Sequence, residues 1–439
     1  MKVLHITPHL GGGVGKAVSG LVQEAQQTLQ SQHSIICLEK PEKTYFADKI
    51  ISLGVPILFA PSYDLVCQAV KNTDIVQIEF WNHPALLAVL CQCPLPSMRL
   101  LVWCHISGLF YPQIPLSFIQ GADKFIYTSP CSLTNRKLFD SDSSCYSSHI
   151  HVVSSAGGIE DLPISQAAMQ LRQLKGVYVG SLNFAKLHPR VVDYLSVVQD
   201  FNFSVSFIGD NHHKRYLQQQ CEKINRPNLL SFYGYSQNIA KALSEFNLFV
   251  YFLNPKHYGT AENSLIESMA MGLVPLVLKN RAECCIVQHQ VTGFHVESPQ
   301  EVAYTLRDLA DDFGLRVSIA QNCINQIRSQ YSFEISYKLM YGYYSNLMDQ
   351  AKREIDFTNF FGQSPSDWFS SFNAASDGFE LFGGDGSVHL PEDESVFTLM
   401  EETKGSVFHF SRYFPGDLRL REWSSRLLES RSKFVDMYV

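Results

Sequence analysis

Short apolar runs alternate with longer stretches of helical periodicity from the first residues of the chain. Val3 to Ile6 predicts a strand, the residues from about Gly15 to Gln30 predict a helix, and Ser34 to Leu38 predicts a second strand. Because strands that alternate with helices are typical of a parallel α/β sheet, residues 1–160 are predicted to form one Rossmann-like domain. Its further strands are predicted at Ile57 to Phe59, Ile75 to Ile78, Leu100 to Trp103, Lys124 to Tyr127 and His151 to Val153.

A second series of the same kind fills residues 161–353. Apolar residues at helical spacing from Ser336 to Arg353 predict the helix that closes this series. Two successive doubly wound units are the pattern of an α/β enzyme whose two Rossmann-like domains face a cleft. The strands of the second domain are predicted at Val177 to Gly180, Val205 to Ile208, Leu230 to Tyr233, Leu248 to Phe252 and Val274 to Leu278.

Residues 354–439 form a C-terminal accessory segment that contains no motif to indicate its role. Phe357 to Gly386 is rich in Phe, Ser, Gly and Asp and has weak periodicity, which predicts a linker or a small accessory piece. Aromatic and charged positions alternate again from Val396 to Val439, which predicts one or two strands and a helix.

Composition narrows the class of protein further. The 439 residues are 46% hydrophobic, which is ample for buried cores. A net charge of −7 without a dense run of Lys or Arg argues against nucleic-acid binding. No apolar run reaches about 18 residues and the N-terminus passes directly into a strand pattern, so a soluble cytoplasmic protein is expected. The 11 cysteines include no Cys-x-x-Cys pair, which predicts reduced core residues and no metal site.

A glycine-rich loop, His9 to Ala17, connects the first strand to the first helix, where backbone can approach a phosphate. A Walker loop would need glycine in place of Leu10 and Ser or Thr in place of Ala17, which disfavours ATP or GTP hydrolysis. A dinucleotide-binding loop would need glycine in place of Lys16, which disfavours NAD. Either this loop binds another ligand, or it is a turn that binds none.

The stretch Tyr258 to Pro275 is a small-residue loop that leads into a short helix and then a strand. The helix opening would aim the backbone N–H groups of Asn263, Ser264 and Leu265 at one point, which suits a diphosphate. Two carboxylate oxygens match a vicinal diol, so Glu267 is predicted to hold a ribose. The alternative for Ser264 and Glu267 is a capping box, since they are three residues apart.

This stretch resembles the donor-site signature of retaining glycosyltransferases of the GT-B fold, family 4 type, the glycosyl transferases of group 1. In that family two glutamates flank seven residues, and Glu267-Ser268-Met269-Ala270 matches the half that begins with the second glutamate. Gly259 stands where the first glutamate is expected, eight positions before Glu267. The resemblance implies that Glu262, the nearest carboxylate, takes that place beside the transferred sugar. The alternative is that Glu262 only stabilises a helix N-terminus.

The glycine loop and the closing helix fit the same resemblance. Gly12, Gly13 and Gly15 are similar to the family's Gly-Gly-x-Gly loop, which faces the cleft. In the GT-B fold a C-terminal helix returns to the first domain, which implies the same for the helix predicted from Ser336 to Arg353. The resemblance spans about residues 1–350 and leaves out the tail.

The segment from Val179 to Lys186 resembles a family segment that reads Gly-Arg-Leu and then a lysine. Lys186 falls on the lysine position, which implies that its ammonium neutralises the departing diphosphate. Ser181 replaces the arginine and is expected at the donor site without its bidentate charge. Lys16 or Arg190 would then have to compensate.

His105 follows a buried-strand pattern and should emerge at the carboxyl end of its strand, where ligands bind in such sheets. A histidine at this place in the resembling family lies by the sugar and the acceptor. That implies that His105 hydrogen-bonds a sugar hydroxyl or helps an acceptor lose its proton, and a structural histidine is the alternative. Trp81 to Pro84, after the preceding strand, is expected to shape the acceptor site or to anchor a loop.

Together these features predict a glycosyltransferase that moves a sugar from a nucleotide-diphosphate donor to an acceptor hydroxyl, with retention and without a metal or other cofactor. The acceptor class stays open among glycans, small molecules and lipid-linked molecules, the last of which would bring the protein to a membrane surface. Two alternatives stay open: a nucleotide-sugar epimerase of the same fold, and a GT-B-like protein that binds sugar without catalysis.

Overall fold

The computed structural model describes residues 1–92, 94–135, 138, 149–198, 203–236, 238–373, 381–392 and 395–438, with the backbone alone for 395 and 432–438. The chain divides into two compact units. The first contains Met1–Ser155, Tyr258–Ala261 and Phe333–Val439, and the second contains Ala156–His257 and Glu262–Ser332. The residues after Ser332, including the predicted accessory segment, thus belong to the first unit rather than to the second or to a separate domain.

Each unit is built around a parallel sheet. Within the described residues, the first sheet has seven strands in the order β3-β2-β1-β4-β5-β6-β7, and the second has six in the order β10-β9-β8-β11-β12-β13. Both orders reverse next to the first strand, which is the doubly wound arrangement of the predicted fold class. The strands are β1 (Lys2–Thr7), β2 (Gln32–Cys37), β3 (Ile57–Phe59), β4 (Ile75–Phe80), β5 (Leu100–Cys104), β6 (Lys124–Tyr127), β7 (Ile150–Val152), β8 (Gly176–Val179), β9 (Val205–Ile208), β10 (Leu230–Gly234), β11 (Leu248–Tyr251), β12 (Val274–Leu278) and β13 (Phe294–Val296).

The alternation of apolar runs predicts strands β1 to β12 to within two residues at either end. It misses β13, because three residues are too few to show a period. Strands β4 and β5 are buried at every position, as expected for a parallel sheet covered on both faces. The carboxyl ends of β1 and β4 lie side by side, since β1 pairs with both β2 and β4.

Helices cover the sheets and make up the C-terminal part of the chain. Those in the described residues are α1 (Gly12–Thr28), α2 (Tyr45–Ser52), α3 (Tyr63–Lys71), α4 (Pro84–Cys91), α5 (Leu116–Gly121), α6 (Gln166–Gln170), α7 (Val191–Ser196), α8 (Lys214–Lys223), α9 (Ile239–Leu243), α10 (Asn263–Ala270), α11 (Arg281–Cys284), α12 (Pro299–Asp311), α13 (Phe313–Gln330), α14 (Phe333–Met348), α15 (Thr358–Phe361), α16 (Pro365–Ser370), α17 (Ser395–Met400), α18 (Val407–Tyr413) and α19 (Leu418–Tyr438), with a short 3-10 helix at Pro130–Thr134.

Helix α14 corresponds to the predicted closing helix and begins three residues earlier than expected. Its buried residues Tyr337, Met340 and Tyr344 pack in one apolar cluster with Val3 of β1 and Leu21 of α1. The helix thus returns to the first unit, as the resemblance to GT-B enzymes implies.

The tail is not a linker, and the expectation of one or two strands in it is wrong for its described residues. Those residues form helices α15 to α19, and their strand-like contact is an isolated bridge between Phe382 and Val388. Its aromatic positions are buried because they pack on the first sheet: Phe361 and Phe372 contact Phe80 of β4. Trp368, Phe369, Phe410 and Trp423 belong to the same apolar cluster.

None of the helices in the described ranges is both long and apolar enough to cross a bilayer.

Candidate active site

Helix α10 of the second unit begins directly after Glu262, whose backbone is left-handed with φ 39° and ψ 58°. Among the described residues no side chain caps this helix. The Leu265 N–H donates to the Glu262 carbonyl over 3.0 Å, whereas the N–H groups of Asn263 and Ser264 precede the first helical bonds. These two amides and the positive end of the helix dipole make a place suited to an anionic oxygen.

The two catalytic candidates of this unit, Glu262 and Lys186, form a buried ion pair. Lys186 Nζ lies 3.1 Å from Glu262 Oε2, and the Tyr251 hydroxyl donates to the same oxygen over 2.5 Å. Burial by itself would raise the pKa of Glu262, but Lys186, His257 and Tyr251 hold that pKa below its usual value. Glu262 is therefore an ionised carboxylate that orders the Lys186 ammonium beside the start of α10.

A second buried acid stands behind this pair. His257 Nδ1 lies 3.8 Å from Glu262 Oε1, and its Nε2 lies 3.2 Å from Glu283 Oε2. Asn280 donates to the other oxygen of Glu283 over 3.1 Å. Burial would lower the pKa of His257, but Glu283 and Glu262 outweigh burial and raise it. His257 thus contacts Oε1 of Glu262, while Lys186 contacts Oε2.

The capping-box alternative for Ser264 and Glu267 is wrong. Ser264 is the second residue of α10, and its hydroxyl donates to the Tyr251 hydroxyl over 3.2 Å instead of capping an amide. Glu262 is at the N-cap position, but its side chain bonds Lys186 and Tyr251 rather than the helix. Glu267 is half-buried in the second turn of α10.

Ser181 and its neighbours stand at the carboxyl ends of β8 and β9. The Ser181 hydroxyl donates to Asp210, and Asn183 donates to the Ser181 oxygen over 2.7 Å. A short polar network thus replaces the arginine of the resembling family. Arg190 pairs with Asp193 over 2.9 Å on an exposed surface, so compensation by Arg190 would require that pair to open.

Two side-chain amides of this unit have an unsatisfied acceptor. Asn183 Oδ1 and Asn263 Oδ1 are both buried, and neither has a hydrogen-bond partner in the described part of the chain. Because buried polar atoms are normally paired, each such oxygen calls for a donor that the protein does not supply. Hydroxyl groups of a bound ligand are donors of this kind.

The glycine loop of the first unit forms the N-terminal turn of α1, three residues before the expected helix start. Gly12 and Gly13 are exposed there, and Gly12 has a positive φ of 59°. Gly15 is buried, and a Cβ at this position would lie 2.3 Å from the Leu10 carbonyl oxygen. Glycine is thus needed at position 15 because the backbone packs closely there, whereas Gly12 and Gly13 leave the N-terminal end of α1 without side chains.

His105 lies at the carboxyl end of β5, as predicted, and is held by a buried acid that the sequence analysis did not single out. His105 Nε2 lies 2.8 Å from Glu79 Oε2, and His5 Nδ1 lies 2.7 Å from Glu79 Oε1. Burial would raise the pKa of Glu79, but the hydrogen bonds from His105 and His5 hold it at about 2. His105 Nε2 therefore donates to Glu79, and Nδ1 is the ring nitrogen left for another hydrogen bond.

The chain of contacts continues from Glu79 through the sheet. His5 Nε2 lies 2.7 Å from His33 Nδ1, His33 Nε2 lies 2.7 Å from Ser31 Oγ, and that oxygen lies 2.8 Å from the Tyr337 hydroxyl of α14. The sequence did carry a signal for this network, since His5 and Glu79 are polar residues inside otherwise apolar strands. A polar residue in a buried strand must find a partner.

The predicted residues thus gather in two places. Lys186, Ser181 and Glu262 lie in the second unit with Asn263, Ser264, Leu265 and Glu267 of α10, whereas Gly12, Gly13, Gly15 and His105 lie at the carboxyl edge of the first sheet. That both groups face one cleft stays a prediction.

Comparison with known proteins bears on the second unit most directly. Residues 174–312, which contain Lys186, Glu262 and α10, match the family model described as glycosyl transferases, group 1. The chain as a whole has the fold of the GT-B glycosyltransferases. No curated protein sequence matched it.

Solved structures similar to this chain share its fold at low identity. Anabaena HepE in complex with UDP-glucose has 16% identity and a TM-score of 0.62, with 79% of this chain and 100% of that chain covered. A glycosyltransferase from Rickettsia africae has 14% identity and a TM-score of 0.61, with 80% and 99% covered. Sucrose-phosphate synthase from Thermosynechococcus elongatus has 14% identity and a TM-score of 0.61, with 80% and 100% covered. These likenesses establish the two-sheet architecture.

Proposed function

We propose that this enzyme transfers a sugar from a nucleotide-diphosphate donor to an acceptor hydroxyl, with retention of anomeric configuration and without a metal ion. The observation that carries the proposal is the Lys186–Glu262 pair beside the uncapped start of α10, at 3.1 Å. The acceptor is a glycan, a small molecule or a lipid-linked molecule.

Departure of the diphosphate leaves negative charge that needs stabilisation. The Asn263 and Ser264 amides and the dipole of α10 supply part of it. The Lys186 ammonium, held by Glu262 at 3.1 Å, would add its positive charge beside the diphosphate oxygens. Fixed positive groups would serve here as a bound cation does in other transferases, and the proposed reaction is therefore metal-independent.

The nucleoside and sugar would be held by groups that accept hydrogen bonds. Glu267, one turn into α10, would accept from both ribose hydroxyls. The buried oxygens of Asn183 and Asn263, which have no partner in the described residues, would accept from donor hydroxyls as well. A bound nucleotide sugar in the similar fold of Anabaena HepE, whose complex contains UDP-glucose, supports this class of donor.

His105 and the glycine loop of the first unit would serve the sugar and the acceptor. With Nε2 bonded to Glu79 at 2.8 Å, Nδ1 of His105 is the ring nitrogen that can accept from a hydroxyl. Gly12 and Gly13 would let the backbone of the α1 mouth approach the ligand, since neither carries a side chain there.

A panel of nucleotide sugars tests the proposal. The purified protein is incubated with UDP-, GDP-, ADP- and CMP-linked sugars, and release of nucleotide is measured with and without EDTA. Release of a nucleoside diphosphate from one donor, unaffected by EDTA, is expected, and proton NMR of the product should show the donor's anomeric configuration. Interconversion of the sugar without nucleotide release would contradict transfer, and loss of turnover in EDTA would contradict metal independence.

A further inference from the structure

The tail reaches the carboxyl edge of the first sheet through a loop between α17 and α18. Asn82 donates to the Gly405 carbonyl over 2.9 Å, and the Tyr111 hydroxyl donates to the same oxygen over 3.3 Å. Gly405 has φ 85°, and a Cβ there would lie 2.7 Å from the Asn82 side chain. The loop is thus seated closely on the residues that follow β4.

Three histidines from separate segments meet where this loop sits. His9 follows β1, His83 follows β4, and His409 belongs to α18. The rings of His83 and His409 are 4.7 Å apart, and those of His9 and His83 are 5.9 Å apart. Trp81 packs against both His9 at 4.9 Å and His83 at 5.4 Å. These four side chains and Lys404 are called the imidazole cluster.

A backbone amide donates to Nδ1 of each imidazole. His9 Nδ1 accepts from the Gly11 N–H over 3.1 Å, His83 Nδ1 accepts from the Ala85 N–H over 3.2 Å, and His409 Nδ1 accepts from the Gly405 N–H over 3.0 Å. A neutral imidazole that accepts at Nδ1 carries its proton on Nε2. The rings of His83 and His409 are therefore Nε2–H donors, whereas His9 Nε2 lies 3.2 Å from the Lys404 ammonium, so both ring nitrogens of His9 face donors.

Two donors of the cluster lack an acceptor. His83 Nε2 and Trp81 Nε1 are buried and have no hydrogen-bond partner among the described residues. Because buried donors are normally paired, each of them calls for an acceptor oxygen that these residues do not supply.

The charge of the imidazole cluster indicates which kind of acceptor oxygen it would bind. Burial lowers the pKa of His9 and of His409 to about 4 and that of His83 to about 2, so the rings are neutral near pH 7. Lys404 is exposed, and the half-buried Glu39 has its Oε2 3.7 Å from His83 Nε2. A phosphate or carboxylate would be repelled by Glu39, whereas hydroxyl groups can accept from the imidazoles and donate to Glu39.

We propose that the imidazole cluster is a binding subsite for a hydroxylated acceptor sugar, with Lys404 and His409 contributed by the tail. That the bound sugar is an acceptor rests on the proposed function, whereas the site itself rests on the geometry of its hydrogen-bond donors. The tail then has a role in acceptor recognition as well as in the core.

Binding is tested separately from turnover. Methyl glycosides of glucose, galactose, mannose and N-acetylglucosamine are titrated into the full chain and followed by saturation-transfer NMR. At least one should bind saturably, and Lys404→Met and Trp81→Phe should each weaken it by roughly 3- to 30-fold, since each removes one hydrogen-bond donor. Absence of saturable binding, or binding unchanged in both variants, would overturn the subsite and leave water as the partner of these donors.

Kinetics with the active donor distinguish this subsite from a structural role. Lys404→Met and Trp81→Phe should raise the acceptor KM and leave both donor KM and donor hydrolysis without acceptor unchanged. Lys338→Met, an exposed lysine on α14, is the control and should change neither. If both variants lost donor hydrolysis and sugar transfer to the same extent, the cluster would have only a structural role. If the wild type turns over no donor, the proposed function fails while the glycoside titration still decides the subsite.

Discussion

A buried carboxylate organises the candidate residues within each of the two units. Glu79 and Glu262 are each almost inaccessible to solvent, and burial alone would make each neutral. Each stays ionised because several donors converge on it, Glu79 through His5, His105 and Gln77. One short motif in the sequence was enough to predict a role for Glu267. The contacts of Glu79 and Glu262 could not be predicted in this way, because their partners are far apart in the chain and meet only in the folded protein.

Replacing Glu79 by Gln should disturb His105 more than the fold. The amide of Glu79→Gln would present an N–H group where one oxygen of Glu79 accepts a hydrogen bond. Either His5 or His105 must therefore change its tautomer or lose its hydrogen bond to residue 79. If His105 changes, Nδ1 becomes a donor, and kcat/KM for the acceptor should fall by about 100-fold or more while donor affinity is kept. A proportional loss of donor affinity would contradict a role through His105.

The same variant has a defined pH signature. The pKa of Glu79 is held at about 2, below its ordinary 4.5, so its charge stabilises the native state above pH 4.5 and this contribution is lost as pH falls toward 2. The wild type should therefore unfold at a higher temperature than Glu79→Gln at pH 7, and the gap should shrink below pH 4.5. A difference in unfolding temperature that stays constant down to pH 3 would show that the charge of Glu79 contributes nothing to stability.

The Lys186–Glu262 pair allows a double-mutant cycle. If Glu262 acts by ordering Lys186, Lys186→Met should reduce kcat/KM for the donor by about 100-fold, and adding Glu262→Gln should cost little more. Steady-state kinetics of the two single variants and the double variant supply the measurement. Additive losses would mean instead that Glu262 touches the substrate itself, as the resemblance to the family's first glutamate implies.

Periodicity was a good guide to the strands and a poor guide to the tail. Strands β1 to β12 follow from apolar runs because a buried parallel strand needs apolar side chains on both faces. In the tail, residues such as Phe361 and Trp368 lie in four- and six-residue helices, which are too short to display a helical period. Their burial is set by contacts such as those of Phe361 with Phe80 of β4 and of Trp368 with Phe414, which local sequence does not reveal.

Two glycines in helices provide matched tests of packing. Gly15→Ala would place a Cβ 2.3 Å from the Leu10 carbonyl oxygen, and the resulting shift of α1 should lower stability by about 1–3 kcal/mol. Gly342→Ala in α14 meets no atom within 4 Å and should raise stability by up to about 1 kcal/mol, because alanine favours the helix. Thermal unfolding of both variants decides this, and destabilisation by Gly342→Ala or none by Gly15→Ala would contradict the packing described for these helices.

At the scale of the whole molecule, the tail is part of the first unit and not an appendage. Trp368, Phe369, Phe410 and Trp423 share one apolar cluster with β4 and β5. The resemblance to a known family ended near residue 350 and gave no reason to expect this. The sequence predicts an N-terminal domain, a C-terminal domain and an accessory tail, whereas the compact units group Phe333–Val439 with Met1–Ser155.

A chain truncated after Arg353 should fail to fold. Each large buried side chain of the tail contributes about 1.5–3 kcal/mol, and several together equal the whole stability of an ordinary domain. The truncated protein should aggregate or bind ANS strongly, as judged by size-exclusion chromatography and fluorescence. A monodisperse truncated protein with a cooperative melt would contradict the packing described for the tail.

The central claim is that α10 binds the donor nucleotide, with its opening at the diphosphate and Glu267 at the ribose. Calorimetric titration with the preferred nucleoside diphosphate and its 2′-deoxy analogue tests it, in the wild type and in Glu267→Gln. The wild type should bind the ribose form about 10- to 100-fold more tightly, as expected for hydrogen bonds to a charged group, and the variant should bind both forms equally weakly. Unchanged affinity in Glu267→Gln, with the preference for ribose intact, would contradict the account.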